Sequence, residues 1–550
     1  MHRAGETSIL AEYPDTPAVL AAAGLAVRVL ERRPIVGGAA VTESFHPGFR
    51  NSVASYTVSL LNPRVIADLR LVQHGLRVVE RPFSNFLPLP DGRAFRLGGA
   101  DGPAEVARWS ARDAARLPAY YAMLERVVAV LRALMTRTPP NVSDGFVLAD
   151  WVNSWAVAKQ LKQLDMRGRR DLLDLFTKSA GELLDDWFES APLKAALGWD
   201  SVVGNFASPY TPGSAYVLLH HVFGEVNGKS GVWGHAIGGM GAISDAIAAE
   251  CRARGVVIET DAAVAQVQVE NGRAAGVVLE DGRTLRAGAV VSNLNPKLLY
   301  QQLVPRDALD DDIAARIARY RCGSGTFRMN VALSELPDFT AAPGTALQPH
   351  HQSGILIGPS LAYFERAYFD AKSREHNPGW ARAPIVELVI SSTLDDSLAP
   401  PGQHVASLFC QHVHPVMPDA TGGWDAHRDT VARLMIDTVD AVAPNFAVRR
   451  RSSPASFTSP DQYRPCSTAV SRSSAQSVAR NSAASGSLPH MRHHARVICG
   501  HGSPFGMRAG SFGCGTGADS MMCISGPLFR RARRAGSFGA GPRPATPTTS

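Results

Sequence analysis

Alternation defines the first strand. From Leu25 to Leu30 apolar side chains recur at every second position, and the run closes on Glu31, which predicts a half-buried β-strand. Ahead of it, Ala18 to Ala23 has strong helix propensity and Gly24 suits a helix C-terminal cap. Helical periodicity takes over from Asp101 to Thr138, where Tyr120, Met123, Leu124, Val127 and Leu131 share one face. A second helical block, rich in Trp and Leu and interrupted around Met166-Arg167-Gly168, runs from Phe146 to Leu197.

Between Gly198 and Gly241 the pattern changes to Gly, Ser, Pro and aromatics, the composition of a long loop lining a site. A helix from Ala242 to Arg254 and a strand from Val256 to Thr260 come next. Alternating strands at Val264–Val269 and Ala274–Leu279 are punctuated by Asn271-Gly272 and Asp281-Gly282, both hairpin dipeptides. Ala289 to Asn293 reads as a short buried strand, and Phe327–Leu333 with Pro384–Leu408 predicts a second, largely antiparallel sheet.

After Val448 the patterning stops. Residues 449–550 hold 14 Arg, no Lys, 2 Asp and no Glu, so the body is mildly acidic and the overall charge of +7 belongs to this segment. Its composition predicts disorder, and equally matches an out-of-frame reading of a GC-rich gene. We expect no specific nucleic-acid partner from it. At 550 residues two or more packed domains are expected, and no apolar run is long enough for a transmembrane helix. The seven cysteines include no C-x-x-C pair, which argues against a redox dithiol or a zinc knuckle.

Glu31 carries the first chemical signal. In a dinucleotide-binding βαβ unit, the acid closing the second strand hydrogen-bonds ribose hydroxyls, and a carboxylate does so bidentately. Gly37-Gly38-Ala39 follows; paired glycines let main chain approach a pyrophosphate with no Cβ in the way. Arg32 and Arg33 are candidates to flank an adenosine. No G-x-G-x-x-G precedes Leu25, so the first strand and its phosphate-binding loop are expected to be missing.

The stretch Leu30-Glu31-Arg32-Arg33-Pro34-Ile35-Val36-Gly37-Gly38-Ala39-Ala40-Val41-Thr42-Glu43 resembles the phytoene-desaturase-like FAD oxidoreductases. So do Val202-Val203-Gly204-Asn205-Phe206, the run from His220 to Lys229 and the run from Trp233 to Ile243. The resemblance covers roughly residues 18–448. It implies an α/β fold with a split, Rossmann-like FAD-binding domain (18–100 and 231–300), a mixed α+β substrate domain (101–230 and 301–448) and a disordered tail (449–550). It also implies FAD as cofactor, with Val264 at the adenine edge, Ser292 and Asn293 near the adenosine diphosphate, and Ser52 to Tyr56 near the isoalloxazine. The family's closing Cys-Gly-x-Gly-Thr-His-Pro-Gly-Gly-like segment is not found. With both ends atypical, the chain is read as a truncated or frameshifted form, expected to hold FAD weakly.

The activity implied is dehydrogenation or desaturation, hydride passing from a small apolar substrate to the flavin. Alternatives are an amine-oxidase-like reaction, and a non-catalytic role through a protein partner, as proposed for animal members as regulators of mitochondrial function. The compartment implied is cytoplasmic for a bacterial chain and the mitochondrial matrix by analogy with animal members. A flavin supplies the electronics, so no Ser-His-Asp arrangement is required. His220 and His221 are the weak catalytic candidates; adjacent helical residues face different ways, so at most one reaches a shared site. His412 and His414 would share a strand face without a third ligand, and no metal is expected.

Overall fold

The computed structural model describes residues 5–7, 16–135, 148–373, 379–417 and 423–447. The 449–550 segment therefore lies outside the described residues. Two sheets organise the rest. In the smaller, Val27–Leu30 is central, with Gly5–Thr7 parallel on one side and Val257–Glu259 parallel on the other. Parallel strands need crossover connections, and the helix Thr16–Ala22 lies in the first of these, ending at Gly24 with φ +84°. This corrects the expectation of a missing first strand: Gly5–Thr7 pairs with Val27–Val29. Residues 8–15, where a phosphate loop would stand, lie outside the described residues.

The helix Gly241–Ala253 packs on this sheet through Ile243, Ala246, Ile247 and Cys251, against Val27, Val29 and Val256. A three-stranded antiparallel sheet, Val264–Glu270, Arg273–Leu279 and Thr284–Arg286, follows the third parallel strand. Its first turn places Asn271 and Gly272 at φ +50° and +72°, the left-handed pair that a two-residue hairpin turn requires.

The larger sheet has six strands in the order Thr326–Leu333, His404–Val413, Trp380–Val389, Gly354–Ile357, Asn85–Pro88, Ala94–Leu97. The last two fall within the segment expected to belong to the nucleotide-binding part. Their ladder to Gly354 and Ile355 puts them with the second sheet instead, because a strand's place is fixed by its hydrogen-bonding partner rather than by its position in the chain. Helices Ala111–Met135, Met166–Thr177, Ala180–Trp187 and Ala191–Gly198 cover one side of this sheet around Tyr120, Trp199 and Phe364. The long loop expected from Gly198 to Gly241 contains a helix, Ser214–His221, entered through Gly213 at φ +82°.

One buried carboxylate clamps the first layer. Glu250, fully buried on helix Gly241–Ala253, accepts from Arg70 Nη2 at 3.0 Å, Arg254 Nε at 2.6 Å and His74 Nε2 at 2.6 Å. Arg254 also donates to the carbonyls of Ala18 and Asp68. Burial opposes ionisation of Glu250, and the hydrogen bonds from His74, Arg70 and Arg254 overcome it, lowering its pKa from 4.5 to about 2. A group whose folded pKa is depressed stabilises above its unfolded pKa and loses that contribution as pH falls. Glu250→Gln is therefore expected to cost about 3 kcal/mol near neutral pH. In urea titrations the gap from the parent should narrow as pH falls from 4.5 towards about 2.

Candidate functional site

The carboxyl end of the central strand holds Glu31 from both sides. Its N–H donates to Glu259 O at 2.9 Å, and its carbonyl accepts from Ala262 N at 2.9 Å. Its side chain is 9% exposed, and Oε1 accepts the Arg33 N–H at 2.9 Å. A carboxylate has about four acceptor sites, so capacity remains for a vicinal diol. Burial raises the Glu31 pKa; the Arg33 N–H and the two following arginines offset this in part. The arginines separate: Arg32 is exposed, whereas Arg33 forms an ion pair with Glu43 on the hairpin Thr42–His46/Phe49–Ser52.

The glycine turn packs tightly beside it. Gly37 has φ +124°, and a Cβ there would sit 2.6 Å from Ala40 O and 2.7 Å from Ser244 Oγ. Ser244 Oγ donates to Ala40 O at 2.7 Å, and Ser55 N donates to Ala39 O at 3.0 Å. Gly38, at φ +55°, is exposed. The turn thus bridges helix Gly241–Ala253 and the segment after Ser52.

Four main-chain donors before and at the start of that helix are already engaged. Gly238 N donates to Asp395 Oδ2 at 2.7 Å, Gly239 N to Ala236 O at 2.8 Å, Met240 N to Ser52 Oγ at 3.0 Å and Gly241 N to Thr42 Oγ1 at 2.9 Å. Hydroxyls from the hairpin cap the helix here, so these amides serve as joints. Asp395 also meets His235 Nε2 at 3.0 Å; burial works against its ionisation, and the bonds from His235, Ser397 and Gly238 hold its carboxyl far below the usual range.

Ser52 joins the two sheets. Its carbonyl accepts from Asn330 Nδ2 at 3.1 Å and from Arg328 Nη2 at 3.4 Å. Asn330 Oδ1 in turn accepts from Asn51 Nδ2 and Ser407 Oγ, both at 3.1 Å. Beyond it, the Tyr56 hydroxyl donates to Glu387, whose side chain is fully buried. The Arg328 guanidinium lies 4.4 Å from the Tyr56 ring centroid, and Tyr56, Phe409 and Trp199 form an aromatic file with centroids 5.4 and 6.1 Å apart. Arg81 Nη1 stands 3.9 Å from Glu387 Oε1 and Nη2 donates to Thr57 Oγ1 at 2.8 Å. Burial lowers the Arg328 pKa to about 10. Burial, with Glu387 nearby, pushes the Asp200 carboxyl up to about 8.

The structure thus brings Gly37, Ala39 and Ser52 together, with Glu31 at the neighbouring strand end. Val264 begins the strand two residues after Ala262, the residue bonded to Glu31, and is half-buried. Ser292 and Asn293 lie in a half-buried connection, where Ser292 Oγ accepts from Leu294 N at 3.2 Å. His221 is buried and stacked on Trp233, centroids 5.7 Å apart. His220 is half-buried, with its ring 5.9 Å from that of Phe223. The sequence reading missed Arg81, Asp200, Arg328, Asn330, Glu387 and Asp395. Glu387 did carry a signal: it is the one charge in the apolar run Ile385-Val386-Glu387-Leu388-Val389-Ile390.

The profile of the family described as flavin containing amine oxidoreductase matches residues 18–327. The mouse pyridine nucleotide-disulfide oxidoreductase domain-containing protein 2 is 38% identical over 443 residues, 77% of this chain and 75% of that protein. A 4,4'-diapophytoene desaturase from Methylomonas sp. is 25% identical, over 48% of this chain and 47% of its own. Among solved structures, an oxidoreductase from Methanosarcina mazei superposes with TM-score 0.48 at 18% identity, covering 80% of this chain and 85% of that one.

Half-buried Asp200, whose carboxyl feels Glu387, supplies a test of the cluster. Its folded pKa of about 8 exceeds the ordinary 3.8, so the folded chain keeps a proton that the unfolded chain releases, and stability declines as pH rises between these values. Asp200→Asn removes that penalty. Its Tm advantage over the parent should be small at about pH 5 and clearly larger at about pH 8.

Proposed function

Since this chain belongs to the flavin containing amine oxidoreductases, and is an oxidoreductase that works with a flavin, we propose that the flavin is FAD and the reaction the dehydrogenation or desaturation of a largely apolar substrate. The observation that carries this reading is the buried carboxylate of Glu31 at the carboxyl end of a central parallel strand. That is where a dinucleotide ribose is held in such sheets.

The residues present fit the group. Glu31 would take the ribose hydroxyls, the main chain of Gly37 to Ala39 would run beside the pyrophosphate, and Ser52 would lie near the ring system. Val264, Ser292 and Asn293 are proposed for the adenosine side. A bound flavin supplies an acceptor for a hydride leaving a substrate carbon. The chain's own part is positioning and exclusion of water. Buried Tyr56 and Trp199 with half-buried Phe409 between them offer an aromatic wall for this, and the tie from Asp395 to Gly238 holds the adjoining turn. His221, against Trp233, remains a weak candidate for proton transfer.

An amine substrate would be recognised as a cation over aromatic faces, but the face of Tyr56 already carries Arg328, and Arg81 adds a second buried cation. These surroundings favour an apolar substrate over an ammonium. The desaturase relative is named for an apolar substrate of that kind. Among the described residues, no helix is long and apolar enough to cross a membrane; a cytoplasmic or mitochondrial-matrix setting is proposed by analogy.

The test is a visible absorption spectrum of the purified chain before and after incubation with FAD. Flavin absorbance that appears in the protein fraction once FAD is added is expected. Glu31→Ala should weaken FAD by about 10- to 100-fold, the loss of charge-assisted hydrogen bonds, with Tm measured in the absence of FAD little changed. A parent preparation that stays colourless after added FAD overturns the reading and favours a role through protein partners.

A further inference from the structure

The helix Leu148–Leu161 carries an apolar stripe on its outward side. Leu148, Trp151, Val152 and Trp155 follow helical i, i+3, i+4, i+7 spacing on one stripe. They are 79%, 65%, 60% and 67% exposed. The inward side is mixed: Asp150 is buried, and Asn153, Ser154, Ala156, Val157, Gln160 and Leu161 are half-buried. The next helix, Met166–Thr177, adds exposed Met166 and Leu173. Single exposed apolar residues are ordinary, whereas a contiguous stripe rimmed by charge marks an interaction surface.

The rim is cationic. Lys159, Lys162, Arg167, Arg169 and Arg170 are all exposed on or between these two helices, and Lys159 Nζ lies 5.6 Å from the Trp155 ring centroid. The acids nearby are already engaged. Asp165 caps the second helix through Gly168 N at 2.7 Å, Asp171 pairs with Arg126, and Asp174 is met by Arg170 and Lys178.

We infer that this face seats on an anionic lipid surface. Tryptophan is suited to the boundary between headgroups and acyl chains, and lysine and arginine to the phosphates above it. A helix of 14 residues is too short to span a bilayer and lies in its plane instead. A second copy across a two-fold axis would bring like charges together. The inference stands apart from the flavin reading, because lipid binding is measured whether or not flavin is bound.

The test is co-sedimentation of the full chain with phosphatidylcholine vesicles, with and without about a quarter phosphatidylglycerol. The parent should pellet with the anionic vesicles, less with the neutral ones, and be released by salt. Trp151→Ser/Trp155→Ser and Lys159→Gln/Lys162→Gln should each weaken partitioning about tenfold or more. These positions are exposed, so an unchanged Tm is expected for both variants. Parent protein left in the supernatant with anionic vesicles overturns the inference. So does unchanged binding by both variants, which would assign retention to the basic residues after Val448. Concentration-dependent dimerisation abolished by the tryptophan changes overturns it in favour of a second copy.

Discussion

The two main-chain hydrogen bonds at Glu31 are the joint on which the site is built. They lock the end of the central strand to Glu259 and Ala262, and so fix a carboxylate at the carboxyl end of the parallel strands, the end at which such sheets hold a dinucleotide ribose. From there a continuous series of polar contacts crosses the molecule. Arg33 pairs with Glu43 on the hairpin, Thr42 and Ser52 on the same hairpin cap helix Gly241–Ala253, and the Ser52 carbonyl receives Asn330 and Arg328 from the second sheet. Each contact is modest alone. Left unmade in the interior, each would cost more than it contributes, which makes the arrangement specific.

The second sheet contributes a different physics. Glu387, Arg81 and Arg328 are charges removed from water, and the desolvation of such groups commonly exceeds their mutual attraction. Arg328 Nε and Nη1 have no hydrogen-bond partner among the described residues; the guanidinium lies against Tyr56 and Phe409 instead. A fold under selection for stability alone would be served better by apolar side chains here. Arg328 donates to the Ser52 carbonyl on the hairpin, which ties the cluster's electrostatics to the edge proposed to hold the flavin.

The outward apolar stripe of helix Leu148–Leu161 obeys the same logic in reverse. Its inward face meets the protein with Asp150, Asn153, Ser154, Ala156, Val157 and Leu161, while Trp151 and Trp155 are largely exposed. The amphipathic pattern of this segment is visible in the sequence, but periodicity gives the existence of two faces and not their direction. Direction is decided by which face finds partners when the helices assemble.

That distinction runs through the whole chain. Alternation from Leu25 to Leu30, the acid at Glu31, the paired glycines and the Asn271-Gly272 turn were all legible, because each depends on local backbone geometry and the side-chain period of one element. The α/β class and the flavin family followed from them and from the resemblance. The pairing of Gly5–Thr7 with the central strand was not legible, nor the transfer of Asn85–Pro88 to the second sheet, nor the meeting of Tyr56, Arg81, Arg328 and Glu387. Those contacts join residues tens to hundreds of positions apart, and nothing in a linear pattern records which strand edge or buried charge a distant residue will meet. Local chemistry wrote the elements and the carboxylate; only tertiary packing chose their partners.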